Sequence, residues 1–319
     1  MNLSVIICSH NPHKVYLDRT LKALKAQTLS KDQWELLLID NASTEPISEK
    51  CELTWHPNAR HITESNLGLL PARLRGIKES TADLLVFVDD DNVLNSEYLK
   101  NALEISISHP WVGAFGGNIV GEFEDPPPEW LVDKLNLLAI VPAENEEWAF
   151  GAGMSVFKSC PCGAGMVIRS QIAKRYSLQA ATDPLRVKLG RKGSSLASAE
   201  DSDMGLTSCL LGFAVGHFPK LRLVHLISSN RVQLDYILKL SEEMVFSYFI
   251  LQYVWDGVIP ERKKEIYCTS EKIFRAYKEF RTRRSKSPLD EIQRRFEEAW
   301  GRGTSKAIEV LESYRKLSS

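Results

Sequence analysis

Three consecutive carboxylates, Asp89, Asp90 and Asp91, directly follow the apolar run 84–88. Like charges this close repel one another, so such a cluster is costly unless a cation neutralises it. Carboxylate oxygens suit Mg²⁺ or Mn²⁺, and such an ion bridges readily to a diphosphate. Alternate side chains of an extended segment share a face, so we expect Asp89 and Asp91 to cooperate. The simpler alternative is a solvated turn that caps the following helix.

Small polar residues also follow the first two apolar runs. Ser9 and Asn11 come after the run 3–8, and Asp40 closes the run 35–40. Ligands of open parallel sheets bind beyond the carboxyl ends of the strands. A carboxylate at such a strand end can accept hydrogen bonds from a base or a ribose. Asp40 alone suits a helix-capping role equally well.

These candidates need an α/β framework to bring them together. Apolar runs predict strands at 3–8, 35–40, 60–63 and 84–88. Helical spacing at 15–27, 70–79 and 96–106 alternates with them and favours a parallel sheet covered by helices. Further strands are predicted at 112–120, at 163–169 and within 213–227, with helices at 170–175, 206–211, 234–253 and 289–317. The polar stretch 182–198 is predicted to be a mobile loop.

The composition is that of a globular protein. The 319 residues are 44% hydrophobic, and 40 Lys and Arg oppose 41 Asp and Glu. This balance excludes a fibrous or largely disordered chain and gives no overall basic field for nucleic acid. Six scattered cysteines indicate reduced thiols, with a zinc or redox site at Cys160 and Cys162 as the alternative. No leader or membrane-spanning run is evident in the sequence, and we expect a cytoplasmic protein.

Several segments in a fixed order resemble the family 2 glycosyltransferases, which are inverting enzymes with the GT-A nucleotide-sugar fold. The residues that carry the resemblance are Ser4–Pro12, Leu38–Ser43, Asn66–Gly76, Val88–Asp91, Gly163–Arg169 and Ala199–Met204. In this family they correspond to the opening strand and its turn, the nucleobase segment, the "NxGxxxARNxG" helix start, the Asp-x-Asp signature, the acceptor-side strand and the "EDxD" segment. The resemblance covers about residues 1–230 and implies a mixed, mainly parallel sheet flanked by helices.

The resemblance assigns a role to each matching residue. It implies donor binding by Ser9, Asn11, Asp40, Asn66, Arg73, Asp89 and Asp90, with Asp40 near the nucleobase, usually uracil, and Asp89 near the ribose. Asp91 would bind Mn²⁺ or Mg²⁺ at the diphosphate, and His225 falls where many such enzymes place a metal-binding or diphosphate-binding histidine. Asp201 would be the general base that deprotonates the acceptor hydroxyl.

The acceptor side is less well defined. Glu200, Trp130 and Trp148 are candidates for acceptor binding, although the two tryptophans could equally fill the core. The cations Arg186, Lys188, Arg191 and Lys192 either close over the diphosphate or an anionic acceptor, or belong to a solvated loop. A Gln-x-x-Arg-Trp motif, which marks processive synthases, is absent from the sequence. The resemblance therefore implies single addition from a nucleotide sugar, with UDP favoured, to a saccharide or lipid-linked saccharide.

The domain division follows from this mapping. We expect a catalytic domain over 1–230, with a nucleotide-binding half at 1–110 and an acceptor-binding half at 111–230. The remaining residues, 231–319, form a helical region outside the resemblance. Its helix 234–253 and the cationic stretch 262–286 could lie on an anionic membrane surface, or pack on the catalytic domain or on a second copy in a homodimer. We favour packing.

Two other classes remain to be separated from a glycosyltransferase. A sugar nucleotidyltransferase also joins such a sheet to a metal, but it usually has a glycine-rich loop after the first strand, and residues 8–14 contain no glycine. A non-catalytic nucleotide or saccharide-binding module would not need Asp89, Asp91 and Asp201 together. A dehydrogenase is disfavoured because no Gly-x-Gly-x-x-Gly follows the first strand.

Overall fold

The computed structural model describes residues 1–261 and 288–318. Nine strands of the described chain form one sheet. They are β1 (Leu3–Ser9), β2 (Trp34–Asn41), β3 (Ala59–Glu64), β4 (Leu84–Asp89), β5 (Asn92–Leu94), β6 (Val112–Phe123), β7 (Glu147–Ala149), β8 (Val167–Arg169) and β9 (Ala214–Ile227).

The strand order is β3-β2-β1-β4-β8-β6-β9-β5, and β7 pairs with β9. Strands β1 to β4 are mutually parallel, whereas β8 runs antiparallel to both β4 and β6. Because β9 is parallel to β6, its carboxyl end reaches the same edge of the sheet as the carboxyl ends of β1, β2 and β4. Both predicted halves of the catalytic domain therefore contribute to one edge.

Helices cover the sheet because its central strands are apolar on both faces. All eight residues of β2 are buried, as are the first five of β4. The helices are α1 (Lys14–Lys25), α2 (Leu69–Glu79), α3 (Tyr98–Ser108), α4 (Glu129–Val132), α5 (Ser170–Ala180), α6 (Glu200–Leu210), α7 (Leu234–Asp256) and α8 (Pro288–Ser318). The predicted α/β class, with a mixed sheet and a C-terminal helical extension, is confirmed.

The C-terminal helices pack on the body of the protein. Phe246 and Leu251 of α7 are buried with Ile6 and Leu37 of the central strands, and Leu311 of α8 joins the same cluster. This arrangement is the packed one that the sequence analysis favoured. No helix in residues 1–261 or 288–318 combines the length and the apolar character needed to cross a bilayer. The cationic stretch 262–286 lies outside the described residues.

Three local predictions were wrong in whole or in part. The strand predicted at 163–169 begins only at Val167, because Gly165 has φ +74° and turns the chain. The stretch 182–198 is irregular over most of its length, as predicted, but Arg186 is not solvated, since it belongs to a short helical turn and is buried against Asp203. The segment 89–91 is not extended, because residues 90 and 91 form a turn between β4 and β5.

Candidate active site

A tight turn positions the three consecutive carboxylates. Asn92 closes it, since its Oδ1 accepts a hydrogen bond from Asp89 N (3.2 Å) and its Nδ2 donates to Asp91 Oδ1 (2.9 Å). The chain then enters β5, which pairs antiparallel with β9 so that Asn92 lies opposite His225. Leu226 N also donates to Asp91 O (2.9 Å). Backbone pairing thus brings Asp91 to His225, which lies 134 positions further along the sequence.

Asp91, His225 and Arg231 converge at a single point. His225 Nε2 lies 3.2 Å from Asp91 Oδ2, and Arg231 Nη1 donates to the same oxygen at 3.0 Å. Arg231 Nη1 is also 3.0 Å from His225 Nε2. Burial opposes ionisation of Asp91, but His225 and Arg231 outweigh it and lower the pKa of this carboxyl. Asp91 therefore remains an anion in a largely enclosed setting.

The other two carboxylates of the turn face different partners. Ser9 Oγ donates a hydrogen bond to Asp90 Oδ2, which ties the end of β1 to the turn. Burial, together with the neighbouring charge of Asp91, raises the pKa of Asp90 to about 7. Asp89 lies 3.7 Å from Arg73 Nη2, and burial raises its pKa despite that cation. Alternation along an extended strand thus gave the wrong reason for pairing Asp89 with Asp91, although their charges do interact.

Arg73 lies between Asp89, at the end of β4, and Glu200, which precedes the predicted base Asp201. Its Nη1 donates to Glu200 Oε1 at 2.8 Å, and both side chains are buried. Burial raises the pKa of Glu200 to about 7, and Arg73 opposes that rise. A Cβ on Gly163 would lie 2.3 Å from Arg73 Nη2, so this position admits only glycine without a shift. These placements do not support direct donor binding by Arg73 or acceptor binding by Glu200, because each is enclosed in the ion pair.

Asp201 lies beside this pair with a fixed orientation. Its Oδ2 accepts a hydrogen bond from Gly163 N at 2.7 Å, and its Oδ1 accepts one from Ser202 N at 2.8 Å. The side chain is only partly buried. Each carboxylate oxygen keeps a lone pair beyond these bonds. The arrangement fits a base that must be held still while it accepts a proton.

The loops after β1 and β2 form the adjoining wall. Asn11, at φ +48°, donates from its backbone N to Ser43 Oγ (2.9 Å), and its Oδ1 accepts from Thr44 N (2.9 Å). Asp40 accepts from Ser43 N (3.1 Å) and Ile47 N (2.9 Å). Ile47 begins a short helical turn, so Asp40 caps that turn, which is the alternative to nucleobase binding that the sequence left open.

A separate cleft of about 450 Å³ lies along α2, and Asp40, Asp91 and Asp201 are not among the residues that line it. Asn66 lies at its rim, and Arg75, Lys78, Arg191 and Lys192 give it a basic lining. The position of Asn66 is set by its neighbour Asn41, whose Nδ2 donates to Asn66 O at 2.7 Å. Leu67, Leu70 and Leu74 also line the cleft, so its lining combines basic and apolar side chains.

The chemistry of Asp91 and His225 fits a divalent ion. Two ligand atoms that are each bonded to the same ion at about 2.1 Å, with a right angle between the bonds, lie about 3 Å from each other. The observed separation of Asp91 Oδ2 from His225 Nε2, 3.2 Å, is compatible with that. No group of three His, Cys, Asp or Glu side chains within 1–261 and 288–318 is arranged to hold a metal. An ion here would take its remaining ligands from phosphate oxygens and water.

One predicted acceptor residue, Trp148, lies away from this cluster. Trp148 of β7 pairs with Gly216 of β9, and Gly216 lies opposite Phe115 on the neighbouring strand β6. His225, further along β9, lies opposite Gly121 of β6. Phe115 and Gly121 are six positions apart on β6, so the two points of the sheet are separated by about 20 Å. The position of Trp148 therefore does not support acceptor binding at this site.

Trp130, another acceptor candidate, packs in an apolar cluster with Ile227 and Val232, near the end of β9. It is partly buried and packs against Phe296 of α8, with ring centroids 6.3 Å apart. Of the two roles left open by the sequence, this placement favours core packing.

Sequence reasoning missed Arg231, Asn92 and Asn41. Arg231 stands outside every motif, at a turn after β9, and nothing in its local sequence signals a contact with Asp91. Asn92 directly follows the carboxylates and could have been found, since asparagine commonly closes turns with its side chain. Asn41 accepts from Gly68 N at 2.8 Å and joins two loops, a role that depends on distant residues.

The zinc alternative for Cys160 and Cys162 finds no support. Both are free thiols, and burial raises the pKa of Cys162 to about 12. A buried thiol of this kind stays protonated and is a poor metal ligand.

Comparisons with known proteins agree with the fold. Glycosyltransferase AglE of Haloferax volcanii is 30% identical over 127 residues, which are 39% of this chain and 40% of that protein. The structure of S. aureus TarS in complex with UDP has a TM-score of 0.52 at 17% identity, over 99% of this chain and 92% of that one. The structure of mannosyltransferase PcManGT from Pyrobaculum calidifontis in complex with GDP-Man and Mn²⁺ has a TM-score of 0.54 at 14% identity. The match covers 99% of this chain and 80% of that one.

The family model described as Glycosyl transferase family 2 matches residues 4–164, half of the chain. The match includes β1, the loop after β2, the start of α2 and the three consecutive carboxylates. Asp201, His225 and Arg231 lie beyond it and are connected to it through the contacts described above. The chain belongs to glycosyl transferase family 2.

Proposed function

We propose that this protein is a metal-dependent, inverting glycosyltransferase that moves one sugar from a nucleotide donor to a hydroxyl group of an acceptor. The observation that carries the proposal is the pairing of two separate acidic centres at one sheet edge. Asp91 with His225 forms the first, and Asp201 forms the second. Arg73 connects them, through Asp89 at 3.7 Å and Glu200 at 2.8 Å.

The donor would bind along the carboxyl ends of β1, β2 and β4. Ser9, Asn11 and Asp40 border the nucleoside position, and the basic cleft beside Asn66 adds attraction for phosphate. UDP is the donor nucleotide that we favour. The structures named above contain UDP in one case and GDP-mannose with Mn²⁺ in the other, so UDP-sugars and GDP-mannose are the donors to test first.

Asp201 would act as the general base. Its carboxylate, held by Gly163 N and Ser202 N, accepts the proton of the acceptor hydroxyl as that oxygen attacks the anomeric carbon. The nucleoside diphosphate leaves from the opposite face of the sugar, so the configuration inverts in a single displacement. A bound Mn²⁺ or Mg²⁺ would supply positive charge for the departing diphosphate, and Asp91 with His225 would hold it.

The acceptor in this proposal is a saccharide or a lipid-linked saccharide. Contact of the C-terminal region with an anionic membrane is an accompanying prediction that rests on the ten Lys and Arg in 262–286. Co-sedimentation with vesicles that contain anionic lipid would test it. Light scattering of the full chain would test for a homodimer, which the sequence leaves open.

The experiment for the function is transfer from a donor panel to an acceptor panel with Mn²⁺ present, read by release of nucleoside diphosphate. The proposal predicts release with one donor family and an inverted anomeric linkage in the product, observed by NMR. Pyrophosphate release from UTP and a sugar 1-phosphate would instead indicate a nucleotidyltransferase. Binding without turnover over both panels would indicate a non-catalytic module.

A further inference from the structure

Arg231 occupies the point at which a metal ion would meet Asp91 and His225. Its Nη1 lies 3.0 Å from Asp91 Oδ2 and 3.0 Å from His225 Nε2, and those two atoms are 3.2 Å apart. The three atoms form a nearly equilateral triangle with the cationic nitrogen at one corner. The residue lies in the turn Ser229–Val232, directly after β9.

The lone pairs that accept hydrogen bonds from the Arg231 guanidinium are the ones that would bind a metal ion. An arginine nitrogen can only donate, so both Asp91 Oδ2 and His225 Nε2 present lone pairs to it. When His225 Nε2 accepts, the ring proton resides on Nδ1, which is buried without a hydrogen-bond partner among the described residues. A metal ligand must also present a free lone pair. Arg231 and a divalent ion therefore exclude one another at these atoms.

Charge explains why a cation belongs here in the free protein. Asp89 faces Arg73, and Asp90 accepts from Ser9, whereas Asp91 has Arg231 as its hydrogen-bonded guanidinium. The side chains of Asp91 and Arg231 are 18% and 16% exposed, so water screens the pair only in part. Without Arg231, the clustered carboxylates would repel one another more strongly.

We propose that Arg231 is an internal counter-ion of the Asp91–His225 pair, and that a divalent metal ion must displace its guanidinium in order to bind. The inference rests on the proposed function for the identity of the metal ligands. It makes Arg231 a positioning residue that sets the metal affinity of the free enzyme.

The test is the affinity of the donor-free protein for Mn²⁺ alone, measured by calorimetry or by the paramagnetic resonance of free Mn²⁺. Arg231→Gln is expected to bind Mn²⁺ about tenfold more tightly than wild type, which is about 1.4 kcal/mol. Arg231→Lys keeps the charge and is expected to stay near wild type. Arg222→Gln removes an exposed charge from β9 and controls for net charge. Arg231→Met replaces the Gln variant if that variant does not fold.

Asp91→Asn locates the measured site. In that background, Mn²⁺ binding should be lost and Arg231→Gln should restore nothing. An Mn²⁺ affinity that is equal in Arg231→Gln and wild type, or absent from both, overturns the proposal, as does an equal gain in Arg222→Gln. The proposed function fails by a different result, which is that wild type consumes no nucleotide sugar.

Discussion

Arg73 Nη1 lies 2.8 Å from Glu200 Oε1, and this buried ion pair fixes α2 to the first turn of α6. The two residues are 127 positions apart. One belongs to the donor-side motif, and the other immediately precedes the proposed base Asp201. In the proposed mechanism, the pair would set the distance between the site of the leaving group and the site of proton removal.

Removing the cation of this pair should be costly. Arg73→Met leaves the Glu200 carboxylate buried without a partner, and we expect a loss of about 3–5 kcal/mol in the free energy of unfolding. The double variant Arg73→Met with Glu200→Gln should recover part of that loss, because the Glu200 charge is no longer buried without a partner, whereas Asp89 still lacks its cation. Urea unfolding at neutral pH measures both.

Arg75→Met is the matched control for that experiment. Arg75 lies on the same helix but pairs with Glu79 near the surface, so its loss should cost no more than about 1 kcal/mol. Equal destabilisation by Arg73→Met and Arg75→Met would show that the buried pair has no special role.

Gly163→Ala tests the contact between the pair and the base. The added methyl would lie 2.3 Å from Arg73 Nη2, and the backbone N of this residue donates to Asp201. We expect slower transfer together with a lower melting temperature. Gly301→Ala in α8 adds the same methyl group where nothing lies within 4 Å, and it should leave transfer unchanged. Unaltered transfer in Gly163→Ala would contradict the proposed geometry.

Asp201→Asn separates chemistry from donor binding. The amide keeps the shape but cannot accept the proton, so the transfer rate should fall by about 10²–10⁴-fold. The affinity for nucleoside diphosphate should be retained, as measured by calorimetry. Asp235→Asn removes an exposed carboxylate on α7 as a control. Near wild-type transfer by Asp201→Asn would rule out this residue as the base.

His56 should make the fold sensitive to mild acid. It packs against Trp34 with ring centroids 4.1 Å apart, and burial lowers its pKa to about 4, with a smaller contribution from Lys31. In the unfolded chain the pKa is about 6.5, so the unfolded state binds the proton first as the pH falls. The stabilising contribution is complete above pH 6.5 and is lost progressively down to about pH 4.

The corresponding measurement is urea unfolding of wild type and His56→Gln at two pH values. Between about pH 7 and about pH 5, wild type should lose roughly 2 kcal/mol more than the variant does. His13→Gln, at an exposed position, should follow wild type. Parallel pH profiles for wild type and His56→Gln would contradict the assignment.

Most of the framework could be predicted because its signals are local. Apolar runs such as 84–88 and helical spacing such as 70–79 fixed the elements to within a few residues. The strand β5 was missed because three residues beginning with a polar asparagine carry no periodic signal. That strand decides which residue faces Asp91, so the error affected the site more than the fold.

Site residues could be predicted where they belong to a sequence motif, but not where tertiary packing alone places them. The resemblance assigned Asp91 to the metal and His225 to the metal or the diphosphate, and β5 places the two together. Arg73 and Glu200 carried the expected motifs, yet burial turned both into structural partners of each other. Arg231 was invisible in the sequence, because its contact depends on how the chain turns after β9.

The most direct test of the central claim is nucleotide binding with and without Mn²⁺, in wild type and in Asp91→Asn, measured by thermal unfolding with UDP, GDP and CMP. A ligand at 100 times its dissociation constant should stabilise the fold by about 2.7 kcal/mol. The account predicts stabilisation of wild type by one nucleoside diphosphate, dependent on Mn²⁺ and lost in Asp91→Asn. The same stabilisation in Asp91→Asn, or none with any nucleotide, would contradict it.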